Sequence, residues 1–257
     1  MPTPPRNGGK PRPGPHQGPS YRLALFDRDF LLSPGMRGVR LQLESMKADE
    51  ALRAWGVRST IVVFGSSRVR EDGSPRHATW YAQARAFGRI ASERGGALHP
   101  VAGIRDNVIA TGGGPGIMEA ASRGAQDAGA PAIGFNIRLP EEQAPNPYTT
   151  PELTFQFHYF AIRKLHLAMR ARALVVFPGG FGTLDELFEI LTLRQAGRMG
   201  AVPVVLVDEP YWRRLINWDA LLEDGMVDPA DLGLLHFAAD AEAAWHLLEA
   251  GGVRVSA

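Results

Sequence analysis

The chain has 257 residues, 45% of them hydrophobic and 21% charged, and its 28 basic and 27 acidic residues leave a formal net charge of +1. This balance disfavours nucleic acid and anionic membranes as partners, because bulk charge would attract neither. The lack of cysteine excludes disulfides, thiolate metal ligands and thiol nucleophiles. With no secretory signal pattern and no uncharged run long enough to span a membrane, we expect a soluble, cytoplasmic protein.

The first 20 residues are rich in proline and glycine and carry basic residues but no acid. Such a segment buries too little apolar surface to offset its ordering entropy, so we predict a disordered tail over residues 1–20. Contact of this basic tail with RNA or a partner is an alternative to the solvated extension that we favour. No shift in composition divides residues 21–257, and we predict that they form one domain.

Strands and helices alternate along the rest of the chain. Helical periodicity over residues 41–55 comes first. Strands are predicted at residues 59–64, 107–111, 131–137, 153–157, 173–177, 203–207 and 234–238. Helices between or after them are predicted at residues 75–94, 117–128, 161–171 and 184–196, with a helical segment after each of the last two strands. This order predicts an α/β fold with a mostly parallel sheet and helices on both faces.

Glycine-rich loops follow two of the predicted strands, at residues 112–116 and 178–182. Each enters a helix, so both should lie at the carboxyl edge of the sheet, where backbone N–H groups suit a phosphate. The dinucleotide pattern fails at Ile117, where a third glycine is required, and the P-loop pattern lacks a lysine before Thr183. The two loops therefore favour a small phosphorylated ligand over NAD, over ATP phosphoryl transfer and over purely structural turns.

Thr183 and Glu186 have the spacing of a capping box, in which the threonine caps a helix and the glutamate bonds back to the cap. Spacing alone favours this structural role. The position of Glu186 favours a functional role, because a carboxylate beside a phosphate-binding loop could hold ribose hydroxyls or activate water. Both interpretations remain open from the sequence.

The helix predicted at residues 161–171 carries an apolar stripe and a basic face. We expect Ile162, Leu165 and Met169 to be buried, with Arg163, His166 and Arg170 on a neighbouring face. That basic face is either solvated or part of a ligand site. None of the three lysines, Lys10, Lys47 and Lys164, lies in a recognisable Schiff-base setting. The chain also lacks the histidine spacing of a zinc site and the G-x-S-x-G elbow of a serine hydrolase.

Three motifs occur in order along the chain: TGGGPGIME at residues 111–119, Arg163-Lys164, and PGGFGTLDE at residues 178–186. Together they resemble the Lonely Guy (LOG) family, whose members were once described as lysine decarboxylases. The likeness covers residues 59–250 and includes the GSSR run at residues 65–68. The added N-terminal helices and the longer loop at residues 139–151 are more similar to the larger, type II-like branch.

The resemblance implies a Rossmann-like, three-layer fold. It also implies an enzyme that hydrolyses a nucleoside 5′-monophosphate to a free base and ribose 5-phosphate, without a metal or cofactor. The substrate would be AMP, an N6-modified cytokinin riboside monophosphate, or both. The resemblance also implies a homodimer or larger homo-oligomer. A non-enzymatic nucleotide- or cofactor-binding module, similar to molybdenum-cofactor carriers, is the alternative.

The family's catalytic pair falls on Arg163 and Glu186. Arg163 would bind the phosphate or help neutralise the departing base. The resemblance and the glycine loops together give the expected substrate-binding residues Lys164, Gly113, Gly114, Gly179, Gly180, Phe181, Gly182, Thr183 and Thr192.

Overall fold

The computed structural model of the chain describes residues 18–139 and 144–253. Most of the predicted tail, residues 1–17, and part of the predicted 139–151 loop, residues 140–143, lie outside the described residues. Contacts divide the chain into two compact units, Met1–Leu43 and Glu44–Ala257. The prediction of one domain over residues 21–257 therefore stays a prediction.

Within the described residues, seven strands form one sheet in which every neighbouring pair is parallel. The strands are β1 (Thr60–Phe64), β2 (Val108–Thr111), β3 (Ala132–Ile137), β4 (Thr154–Phe157), β5 (Ala171–Val176), β6 (Val204–Val207) and β7 (Leu235–Ala238). Their order in the sheet is β4-β3-β2-β1-β5-β6-β7. Each lies within about two residues of its predicted position, and the predicted parallel α/β fold is confirmed.

Helices connect the strands and cover the sheet. The α-helices are α1 (Arg28–Leu32), α2 (Arg37–Ala54), α3 (Pro75–Arg94), α4 (Ile117–Asp127), α5 (Phe160–Met169), α6 (Phe181–Gln195), α7 (Glu209–Leu215), α8 (Trp218–Glu223), α9 (Pro229–Leu232) and α10 (Ala241–Ala250). Short 3-10 helices lie at Pro19–Tyr21, Ala24–Phe26, Pro34–Met36 and Pro151–Leu153. In the part of the chain that the structure describes, no helix is long and apolar enough to cross a membrane.

The two faces of the sheet have separate apolar cores, which makes the fold three-layered. Along β1, Ile61 and Val63 pack on the side of α3, α4 and α10. The alternate residues Val62 and Phe64 pack on the side that α5, α6 and α7 cover. Because side chains alternate along a strand, a run of consecutive apolar residues fills both cores.

In the first unit, short helices are held by local caps. Asp27 accepts a hydrogen bond from the Phe30 N–H at 3.2 Å, at the start of α1. Arg40 donates to the carbonyl oxygens of Leu31 and Ser33, each at 2.7 Å. The Asp27 bond satisfies an N–H group that the start of α1 leaves unpaired, and the Arg40 bonds satisfy carbonyl groups at its end.

The direction of chain progression reverses at β1, which positions the candidate site. The chain passes from β1 through β2 and β3 to β4 on one side and then returns to β5 on the other side of β1. Open α/β sheets bind ligands at such a reversal, outside the carboxyl ends of the strands. The loops after β1, β2 and β5 meet there.

Candidate active site

Backbone hydrogen bonds join three loops at the carboxyl edge of the sheet. The Ser66 N–H, after β1, donates to the Pro178 carbonyl, after β5, at 3.0 Å. The Ile117 N–H, at the start of α4, donates to the Ser66 carbonyl at 3.1 Å. The loops after β1, β2 and β5 therefore form one continuous surface.

Gly113 and Gly114, in the loop after β2, are buried. A Cβ at Gly113 would lie only 2.4 Å from Nδ2 of Asn136, on β3. Asn146 braces the same loop, since its N–H donates to the Gly113 carbonyl at 2.8 Å and its Nδ2 donates to the Gly114 carbonyl at 3.0 Å. Both glycines lie beside the site, enclosed by protein, and their role as substrate ligands stays a prediction.

The loop after β5 is anchored at one end and open at the other. Gly179 is buried, and a Cβ there would lie 2.1 Å from Oγ1 of Thr183. Gly180 and Gly182 are exposed, and a Cβ at either would meet no described atom within 4 Å. Phe181 between them is 94% exposed. The surface from Gly180 to Gly182 is therefore free for a ligand to approach.

The capping-box interpretation of Thr183 and Glu186 is wrong. Helix α6 begins at Phe181, three residues earlier than predicted, and its N-cap is Gly180, which has no side chain to cap it. Thr183 therefore lies inside the first turn, and Glu186 lies a turn further along. The Leu184 N–H makes the first bond to the cap carbonyl, at 2.9 Å. The earlier N–H groups lack intrahelical acceptors and suit an anion.

Arg163 and Glu186 form a mostly buried ion pair between α5 and α6. Nη2 of Arg163 donates to Oε1 of Glu186, and each side chain is only 12% exposed. The guanidinium also lies against the loop after β2, because a Cβ at Gly112 would be 3.2 Å from its Nη1. The structure thus brings the predicted catalytic pair together, between the two glycine loops.

The protonation of Glu186 depends mainly on its burial. Burial raises the pKa of Glu186 to about 7, whereas the positive charges of Arg163 and Lys164 lower it and those of nearby acids raise it. A buried carboxylate loses hydration that favours its charged form. A carboxyl group that titrates near neutral pH is suited to proton transfer or to orienting water.

Lys164 lies on the outer side of the same helix pair. Its Nζ is 2.7 Å from Oδ2 of Asp185 and 3.2 Å from Oε2 of Glu189, both on α6. Burial alone would lower the pKa of Lys164, but the hydrogen bonds to these two carboxylates outweigh it and leave the pKa raised.

One surface pocket of about 590 Å³ is lined by Lys164, Phe181 and Thr192. The hydroxyl of exposed Thr192 donates to the Phe188 carbonyl of its own helix at 2.7 Å.

The prediction of which α5 residues are buried is wrong for two of the three apolar positions. Leu165 and Met169 are 46% and 49% exposed, whereas His166 is fully buried. Arg163, His166 and Arg170 face the protein and bond to groups distant in sequence: Glu186, the Ser45 carbonyl and Asp49. Each of these three side chains has at least one hydrogen-bond partner, which offsets part of the cost of burying it. Those partners cannot be read from the periodicity of the helix.

Tyr211 is a contact residue that sequence reasoning missed. Its hydroxyl donates to the Gly179 carbonyl at 2.7 Å, so α7 holds the buried end of the loop after β5. Its place in the first turn after a strand, at the carboxyl edge, was the available signal. The bracing role of Asn146 had no such signal, because it comes from a long irregular loop.

A family model described as "Possible lysine decarboxylase" matches residues 118–248, half of the chain. The chain belongs to this family. The matched region contains Arg163, Glu186 and the loop after β5. Curated relatives carry the names of LOG proteins, so the resemblance to the LOG family is confirmed. Assignment to the type II-like branch stays a prediction.

Three relatives show how far the likeness extends. "Probable cytokinin riboside 5'-monophosphate phosphoribohydrolase LOG4" of Oryza sativa subsp. japonica is 28% identical over 52% of this chain and 59% of its own length. LOG3 of Arabidopsis thaliana is 29% identical over 48% and 57%, respectively. The cytokinin riboside 5'-monophosphate phosphoribohydrolase of Rhodococcoides fascians is 27% identical over 62% of this chain and 79% of its own length. The chain thus spans less than two thirds of the first two relatives.

Two solved structures share the fold. TM1055 gives a TM-score of 0.53 at 24% identity, covering 75% of this chain and 99% of TM1055. The molybdenum cofactor binding protein of Rippkaea orientalis gives a TM-score of 0.50 at 21% identity, covering 75% and 96%, respectively. At these identities the likeness supports the Rossmann-like fold alone.

Proposed function

We propose that the protein hydrolyses the N-glycosidic bond of a nucleoside 5′-monophosphate, releasing the free base and ribose 5-phosphate. The observation that carries the proposal is the mostly buried Arg163–Glu186 pair, which lies at the sheet reversal beside an uncapped helix N-terminus. Membership of a family that includes cytokinin riboside 5′-monophosphate phosphoribohydrolases supports it. AMP and N6-modified cytokinin riboside monophosphates are the proposed substrates.

The 5′-phosphate is placed at the start of α6 in this proposal. The first-turn N–H groups and the exposed glycines there give a ligand access to the backbone. Anions are favoured at such a terminus because the unpaired N–H groups and the helix dipole act together. Lys164, Thr183 and Thr192 are proposed to complete the binding surface along α6.

Glu186 is the proposed group that acts at the sugar. In its carboxylate form it accepts a proton from, or orients, the water that attacks C1′ of the ribose. The C1′–N bond breaks, its electron pair leaves with the base, and the base takes up a proton. The negative charge also steadies the positive charge that develops on the sugar as the bond breaks. Arg163 orients the carboxylate through their shared hydrogen bond and offers a positive charge to the phosphate or the leaving base.

The family description gives lysine decarboxylation as a competing activity. A Schiff-base lysine needs a lowered pKa, so that its amine is unprotonated and nucleophilic. The carboxylates around Lys164 have the opposite effect and leave its pKa raised. The raised pKa argues against Lys164 as a Schiff-base lysine, and so favours glycoside hydrolysis over decarboxylation at this site.

The test is a substrate panel with the purified protein. AMP, isopentenyladenosine monophosphate and a pyrimidine monophosphate are incubated with it, and free base is measured by chromatography. The matching nucleosides are the phosphate-free controls and should give no release. Relative rates within the panel distinguish a general mononucleotide hydrolase from one selective for N6-modified bases.

Variants connect the activity to the site. We expect Glu186→Gln to reduce base release by about 10³-fold, in line with loss of a catalytic acid–base group. Arg163→Ala should reduce it by a similar factor of about 10³, because the carboxylate loses the donor that orients it and the site loses a positive charge. Glu119→Gln is the matched control, because Glu119 lies at the start of α4, after the other glycine loop, and should retain the wild-type rate. Nucleotide binding without base release in the folded wild type would instead support a non-enzymatic binding module. Undiminished release by Glu186→Gln would refute the mechanism.

A further inference from the structure

The peptide between Gly179 and Gly180 is held from one side by Tyr211. The tyrosine hydroxyl donates to the Gly179 carbonyl at 2.7 Å. Burial raises the pKa of Tyr211, so the hydroxyl keeps its proton at neutral pH and remains a donor. This contact connects α7 to the loop from which α6 begins.

A peptide between two glycines needs such a restraint. Without Cβ atoms on either side, rotation of the peptide plane meets little steric resistance. In a planar trans peptide the C=O and N–H bonds point in opposite directions. A fixed Gly179 carbonyl therefore fixes the Gly180 N–H, which points away from Tyr211.

Tyr211 is itself fixed by a polar and aromatic cluster. The Asp208 carboxylate accepts from the Tyr211 N–H at 3.1 Å, from Nε1 of Trp80 at 2.8 Å and from Nη2 of Arg76 at 3.2 Å. The Trp80 and Tyr211 rings pack edge to face, with centroids 5.6 Å apart. The cluster therefore connects the first two turns of α3 with the first turn of α7.

We propose that Tyr211 is a positioning residue for the 5′-phosphate. It locks the Gly179–Gly180 peptide so that the Gly180 N–H stays aligned with the first-turn N–H groups of α6. The proposal rests on the phosphate site of the proposed function and adds a residue that makes no contact with substrate. Trp80 acts indirectly, because its Nε1 donates to the Asp208 carboxylate, which in turn accepts from the Tyr211 N–H.

The test is Tyr211→Phe, with ribose 5-phosphate and inorganic phosphate as calorimetric probes. Loss of one hydrogen bond predicts about tenfold weaker binding of both, equivalent to about 1.4 kcal/mol. KM for nucleoside 5′-monophosphates should rise by the same factor, while kcat changes by less than about twofold, because the reacting groups are untouched. Tyr81→Phe is the matched control, because its hydroxyl donates to Glu119 at 2.9 Å and not to the loop. The control should bind both probes as the wild type does.

Trp80→Phe keeps the Tyr211 hydroxyl but removes one donor to Asp208. About threefold weaker binding of ribose 5-phosphate is expected. If Tyr211→Phe does not fold, this variant tests whether Tyr211 positions the phosphate-binding peptide. Unchanged probe binding in Tyr211→Phe, or equal weakening in Tyr211→Phe and Tyr81→Phe, would overturn the inference. So would unchanged binding in Trp80→Phe when Tyr211→Phe is unfolded, or a wild type that binds neither probe. Weakened probe binding in a protein that releases no base would refute the proposed function and leave the role of Tyr211 supported.

Discussion

The loop after β2 and the loop after β5 both place glycines before a helix, but their glycines have different neighbours. In the first loop, a Cβ at Gly113 would lie 2.4 Å from the Asn136 side chain, and one at Gly116 would lie 2.4 Å from the Ser66 carbonyl oxygen. In the second loop, a Cβ at Gly180 or Gly182 would meet no described atom. One loop is packed against protein and the other opens to its surroundings.

The difference shows that glycine serves two purposes at one sheet edge. In the packed loop it allows three loops to approach each other, which is a requirement of folding. In the open loop it leaves the start of a helix uncovered, which is a requirement of binding. Substitutions should therefore cost stability in the first loop and ligand affinity in the second.

The largest expected effect is the loss of stability in Gly116→Ala. Gly116 has a φ of 73°, and its Cβ would clash with the backbone of the loop after β1. The left-handed backbone and the overpacking together predict a loss of about 3 kcal/mol in the free energy of unfolding, measured by urea denaturation. Gly225→Ala is the control, since Gly225 has a φ of 67° and open space around it. It should lose only about 1 kcal/mol, the cost of the backbone strain alone. Equal losses in both variants would show that packing in the loop contributes little.

The next expected effect is opposite pH dependence of activity and stability, through Glu186 beside the open loop. Its folded-state pKa of about 7 lies above the ordinary value of 4.5, so between these values the folded protein holds a proton that the unfolded chain lacks. The free energy of unfolding should therefore fall as pH rises through this window, by on the order of 3 kcal/mol. Activity should change the other way. Below pH 7, kcat/KM should fall by about tenfold per pH unit, because the carboxylate form is required.

Glu186→Gln separates the two effects of this residue. Denaturation curves from pH 5 to pH 8 should lack the fall that Glu186 causes in the wild type, because glutamine does not titrate. The control Glu119→Gln should keep the wild-type pH profile of kcat/KM. An increase of kcat/KM in the wild type as pH falls below 7 would contradict the assignment of the carboxylate as the active form.

Most of the fold could be predicted from the sequence because its signals are local. Consecutive β-branched residues predict doubly buried strands such as β1 and β6, and apolar spacing predicts α3 with the bounds that the structure shows. The alternating order of strands and helices then predicts a parallel sheet. The start of α6 was misplaced because glycines at residues 180 and 182 were assigned to a loop. In the structure Gly180 is the N-cap of α6 and Gly182 lies in its first turn.

The site could be predicted only in part, because its contacts join segments far apart in the chain. The motifs identified Arg163 and Glu186 as a pair, and the structure brings them together. No local pattern shows that α5 turns its charged face inward, since that depends on acids from α2 and α6. No local pattern shows either that Tyr211 donates to the Gly179 carbonyl, because the two residues are 32 positions apart in the sequence.

The smallest expected change in stability is that of Gly182→Ala, and this variant distinguishes the binding loop from the packed loop most directly. Gly182→Ala adds a methyl group to the first turn of α6, where nothing described lies within 4 Å. Alanine favours helix over glycine, so the free energy of unfolding should rise by about 0.5 kcal/mol. The same methyl group stands where the phosphate must approach the backbone, so KM for nucleoside 5′-monophosphates should rise by about tenfold. A variant that is more stable and binds less tightly is the opposite of Gly116→Ala. An unchanged KM would mean that the phosphate lies elsewhere, and the contrast between a packed and a binding loop would then fail.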